Sequence, residues 1–142
     1  MGIFEELNAV FRLDVQELPA REEEIRALQN FSSIEVPLEY IEIVRQVTNV
    51  EINVCNDMYI RIWGPTDCIE MNEAYHIQKY IPYSLAIGDD EGGKVLTYAS
   101  GIEGFGVYLV DLGNLDIQDS IKLTASLKLL LKNGIGIEKL LY

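Results

Sequence analysis

Residues Gly88 to Lys94, Gly-Asp-Asp-Glu-Gly-Gly-Lys, have the Gly-x-x-x-x-Gly-Lys spacing of a phosphate-binding loop. Such a loop works because backbone N–H groups and a helix N-terminus converge on an anion. The lysine neutralises it, and a following Ser or Thr binds magnesium. Here Val95 follows Lys94, and Asp89, Asp90 and Glu91 put three like charges where phosphates would lie. The stretch Val-Leu-Thr-Tyr-Ala that comes next is strand-like rather than helical. The spacing therefore predicts an acidic hairpin turn, where Asp and Gly take the unusual dihedrals and charge keeps the tip in water.

Other chemistry-bearing patterns are equally incomplete. The acids of this turn lack the alternating oxygens and terminal Glu of a calcium loop. Gly101 to Gly106 reads Gly-x-x-Gly-x-Gly, the dinucleotide fingerprint reversed, and a strand follows it. Glu70, Glu73 and His76 lie a helical turn apart and could set three ligands on one face, or simply form a solvated face. His76 is the single histidine, and no Gly-x-Ser-x-Gly elbow accompanies it. Cys55 and Cys68 match no zinc or redox spacing and read as two buried thiols. The expectation is a protein that is not an enzyme and holds no cofactor or structural metal.

The elements that would position these residues follow from hydrophobic spacing. Ile3, Phe4, Leu7, Val10 and Phe11 predict an amphipathic helix. A second helix is predicted after Pro19, with Glu22 to Glu24 in its first turn, and a third after Pro37, stopped by Asn49. Val50 to Trp63 alternates and is broken at Asn56-Asp57, a hairpin signal. It puts Ile60 and Ile62 on one face and Tyr59, Arg61 and Trp63 on the other. A helix over about Pro65–Gln78 comes next, then the strands YSLAIG, KVLTYA and GVYLVDL. The segment 116–134 predicts a closing amphipathic helix with Gly134 as its terminal glycine, and IGIEKLLY adds a last turn or short strand. Grouped strands with tight turns argue an α+β fold, a mostly antiparallel sheet of about five strands flanked by helices.

The chain has 142 residues, enough to bury a core in one domain over 1–142, with its core over about 22–134. Eleven basic residues against twenty-three acidic ones leave a net charge of −12. That balance disfavours nucleic acid and anionic membranes, whose affinity comes from cations. It suits a basic protein partner, or serves solubility alone. No window is apolar enough for a membrane span, and the N-terminal segment is acidic where a signal peptide is basic, so a cytoplasmic location is expected.

The segments VPLEYIEIVRQVTN, IRIWGPTDCIEMNEAY, YSLAIGDDEGGKVLTY, GVYLVDLG and SLKLLLKNG together resemble the SUKH superfamily, specifically its SMI/KNR-type domains. Ile87 to Gly93 is the most distinctive piece, and the likeness spans residues 22–134. Thr48-Asn49-Val50 stands where the family often has Asn-Gly, and Trp63 where the family varies. The resemblance implies a non-catalytic protein-binding module. Bacterial members act as immunity proteins that neutralise a cognate toxin, often a nuclease, and fungal relatives as regulators or scaffolds of cell-wall synthesis. A third class, small-ligand or metal binding at the glycine turn or at Glu70, Glu73 and His76, stays open. Interface anchors favour Trp, Tyr and Arg, so the expected partner-binding residues are Tyr59, Arg61, Trp63, Asp89, Asp90 and Glu91.

Overall fold

A computed structural model of the chain describes residues 2–141. Met1, where the leader reading starts, and Tyr142, where the tail segment ends, lie outside the described residues. The fold is α+β, as expected, but the sheet has seven strands rather than five. They are β1 (Phe11–Glu17), β2 (Thr48–Val54), β3 (Met58–Ile62), β4 (Leu85–Asp89), β5 (Lys94–Gly101), β6 (Gly104–Asp111) and β7 (Ile121–Thr124). They pair antiparallel in strict chain order, one long meander. The helices are α1 (Glu22–Phe31), α2 (Leu38–Val44), α3 (Pro65–Ala74), α4 (Ile77–Tyr80), α5 (Leu127–Asn133) and α6 (Ile137–Leu140).

Strand β7 lies within the segment 116–134 whose spacing predicted helix, and β1 starts at Phe11, where the first predicted helix ends. At the N-terminus only a 3-10 turn forms, Ile3–Glu6. Phe11, Leu13 and Val15 then alternate with Arg12, Asp14 and Gln16, and Phe11 and Leu13 pair with Val54 and Ile52 of β2. The alternation wins because an inner edge of β2 is available to pair. Near the C-terminus, Asp116 accepts from the Gln118 amide to close a second 3-10 turn, Ile117–Asp119. The chain then runs as β7 before Ser126 caps α5. Gly134 closes α5 as expected, and the tail forms α6.

Two further expectations are corrected. Asn49 does not stop a helix: α2 ends at Val44, and Asn49 sits in β2 with a φ of 48°. The helix after Pro65 breaks at Tyr75 and His76, the latter left-handed at φ 53°, so the reading to Gln78 becomes α3 and α4.

Burial shows where the sheet is covered. Leu85–Asp89, Val95–Ala99 and 106–110 are buried without alternation, so both faces of the sheet's centre are enclosed. Helices α3 and α4 pack on β4, and the segment of the second 3-10 turn packs on β5 and β6. Strand β1 instead exposes all its residues after Leu13, and Arg61 of β3 is exposed. One half of the sheet is covered on both faces; the β1–β3 half buries Val50, Ile52, Val54, Ile60 and Ile62 and leaves its other face open. Buried side chains run from Phe11 to Leu140, past both ends of the expected 22–134 core. No described helix is long and apolar enough to cross a membrane.

Candidate functional site

The open half meets the covered half at a narrow seam. Strands β3 and β4 pair at only two positions, Arg61 with Asp89 and Ile62 with Gly88. Gly88 lies so close to β3 that a Cβ there would come within 2.0 Å of the Arg61 carbonyl oxygen. Glycine is required by that approach rather than by a phosphate.

Asp89 fastens the seam. Its Oδ1 accepts from Arg61 Nε at 3.0 Å and from the Glu91 amide at 2.8 Å. Its Oδ2 accepts from the Trp63 indole Nε1 at 2.9 Å. Trp63 thus lies on the Arg61 side of the sheet, as alternation predicted, since both side chains reach Asp89 and line one cleft, but it is buried where Arg61 is exposed. It lies one residue past the end of β3 and is 7% exposed, because the chain turns there into α3 and brings the indole against Asp89. Its carbonyl accepts from Tyr40 Oη at 2.6 Å, which anchors the turn from the other side. Burial pulls the Arg61 guanidinium down, and the hydrogen bond and charge of Asp89, with Glu91 and Glu51, outweigh it and leave the group raised.

The turn beyond Asp89 is built around its own acids. Asp90 Oδ1 accepts from the amides of Gly92 at 2.8 Å and Lys94 at 3.0 Å. Glu91 and Gly93 take positive φ of 57° and 99°. The backbone N–H groups that would cradle a phosphate are thus already occupied by a carboxylate, and Lys94 opens a strand. This is not the geometry of a phosphate-binding loop. Burial raises the Glu91 carboxyl, with Glu51 and Asp89 adding to the effect and Arg61 opposing it.

Tyr59 lies elsewhere on the open face. Its Oη donates to Asp14 Oδ2 at 2.7 Å, and Arg12 Nε reaches the other oxygen of Asp14 at 2.6 Å. Those two bonds, Arg12's first, hold the Asp14 carboxyl below its ordinary value. The structure thus groups Arg61, Trp63, Asp89, Asp90 and Glu91 at the seam and sets Tyr59 in a second polar group towards β1.

Between the open face and α3 runs a cleft of about 520 Å³. Glu17, Glu51, Asp67, Glu70 and Asp89 supply its carboxylates, Arg61 its one cation, and Val15, Trp63 and Met71 its apolar surface. Comparison with protein-family models finds no match, and comparison with curated proteins finds none either. What this cleft can do is therefore read from its residues.

Among the described residues no three His, Cys, Asp or Glu side chains come together as metal ligands, and the break at His76 separates it from the helix that carries Glu70 and Glu73. Cys68 is buried, with its thiol pushed up to about 12 by burial and its Sγ donating to the Ala86 carbonyl at 3.0 Å. Cys55, expected to be buried, is exposed in the β2–β3 turn with φ 55°.

Two positioning residues escaped the sequence reading. Asn72 of α3 is fully buried, and its amide accepts from Ala86 N at 3.0 Å and donates to Ala86 O at 2.8 Å. Glu39 of α2 accepts from Tyr98 Oη and from the amides of Leu127 and Lys128, capping α5 from another helix. Asn72 stands in an E-x-N-x-x-Y stretch whose polar residue recurs on an apolar helical stripe, a signal that could have found it. Glu39 gives no such signal, because its partners lie 59 to 89 residues away.

Proposed function

We propose that this protein is a non-catalytic protein-binding module that engages a basic partner, and that it is an SMI/KNR-type immunity protein neutralising a cognate toxin domain. The observation that carries the reading is the cleft between the open half-sheet and α3. Its carboxylates outnumber its cations five to one, and that one guanidinium is already taken by Asp89. A surface so biased, over apolar ground, complements a positive protein surface such as a nuclease's substrate-binding face. The net charge of −12 extends the same field over the whole molecule. Tyr59, Arg61, Asp90 and Glu91 supply the accessible side chains of this face, with Trp63 and Asp89 holding it from below.

The test is co-expression with the protein encoded immediately beside this one. Expressed alone, that neighbour should arrest growth; with this protein present, growth should return and the two should elute as one complex in size-exclusion chromatography. A harmless neighbour, or a toxic one that neither elutes with this protein nor is relieved by it, overturns the immunity reading and favours the regulator or scaffold class.

A further inference from the structure

The acidic cleft does not end at α3. A second hollow of about 840 Å³ lies between the chain leaving β1 and the first turns of α1 and α3, and it shares Glu17, Asn49 and Asp67 with the first. Resting on the protein-binding reading above, we infer that the two hollows form one continuous groove for an extended segment of the partner in which basic and apolar residues alternate.

Three observations support that occupant. The first is apolar exposure along the groove, where Leu18 is 85% exposed and Val15 44%. The second is unneutralised charge. Glu17, Glu51, Asp67 and Glu70 have no ion-pair partner among the described residues, while both arginines of the groove are spent, Arg21 on Glu23 and Glu24 and Arg61 on Asp89. The third is shape. Two joined hollows with mixed lining suit successive side chains of an extended chain, whose same-side residues repeat at roughly 7 Å. A second copy of this chain would bring another −12 and be repelled, as would a nucleic acid. Cationic polypeptide is the occupant whose charge fits.

The chain's single tryptophan lines the groove and reports on it. The probe is a ten-residue peptide of alternating arginine and leucine, titrated against the full-length protein while Trp63 emission is followed. A saturable one-to-one change is expected, with none from the same peptide carrying glutamate for arginine. Asp67→Asn and Glu70→Gln should each weaken binding about threefold, as expected for a partly solvated charge pair. Asp57→Asn, in the distant β2–β3 turn, should leave binding unchanged, and amide exchange should slow at 16–18, 20–21 and 66–71. No emission change, equal weakening by Asp57→Asn, or protection elsewhere overturns the groove. Growth rescue by the wild type with a silent peptide titration removes the groove alone. Failed rescue with normal peptide binding removes the immunity reading alone.

Discussion

Asp89 meets three donors with one carboxylate, and the three differ in what they contribute. The Arg61 side chain is 45% exposed, so its ion pair is screened by water and adds little. The Trp63 indole is buried, and an indole N–H without an acceptor there keeps its full desolvation penalty. The Glu91 amide sits at the start of the turn, where it sets the positive φ that follows. Trp63 should therefore feel the loss of Asp89 most. Asp89→Ala should lower unfolding stability by about 2 kcal/mol in urea titration, with Trp63 emission altered in the native state. Asp89→Asn, which keeps an acceptor but gives up the charge, should lose less. Equal stability of wild type and Asp89→Ala would mean that Trp63 finds another acceptor and that the seam is not fastened here.

Among the elements, α3 carries the arrangement that the fold most depends on. Strand β3 ends at Ile62, so β4 has no strand neighbour beside Ala86 on that side. Asn72 supplies one: its side-chain amide offers a donor and an acceptor in the pattern of a peptide group, and Gln78 Nε2 donates to its oxygen at 2.9 Å. Asn72→Ala should orphan the Ala86 N–H in a dry site and leave the Ala86 C=O only the Cys68 thiol, at a cost of about 2 kcal/mol. Amide exchange at Ala86 should rise and the melting temperature fall; unchanged protection at Ala86 would show that water replaces the side chain. This is also where sequence reading reached its limit. The central strands were legible as short apolar runs bounded by glycine turns, and α1 and α2 because prolines precede them and, for α1, acids fill the first turn. The break at His76 has no glycine to announce it, since packing rather than local preference places it. Strands β1 and β7 were hidden by apolar residues that also fit a helical stripe. The alternation from Phe11 to Val15 and the capping serine at 126 were both present in the sequence. For the site, the acidic turn and Arg61 were legible by type. The coupling of Trp63 to Asp89 was not, because it depends on a two-residue seam between strands 22 residues apart in the chain.

Over the whole molecule, charge and shape act at different stages of binding. A net −12 on a chain of this size makes a field that reaches beyond the contact surface and draws a cationic partner in before any side chain touches. At about 0.1 M salt that field is screened within roughly 10 Å. The apolar surface of Val15, Leu18, Trp63 and Met71 acts only at contact and is far less sensitive to salt. Association with the partner should therefore slow by about tenfold between roughly 50 and 500 mM salt, while dissociation changes by less than about threefold. Surface-immobilised binding kinetics separate the two rates. If dissociation carries the salt dependence instead, the carboxylates of the groove are making desolvated ion pairs in the complex. Long-range attraction would then be secondary to contact, and the −12 would serve solubility.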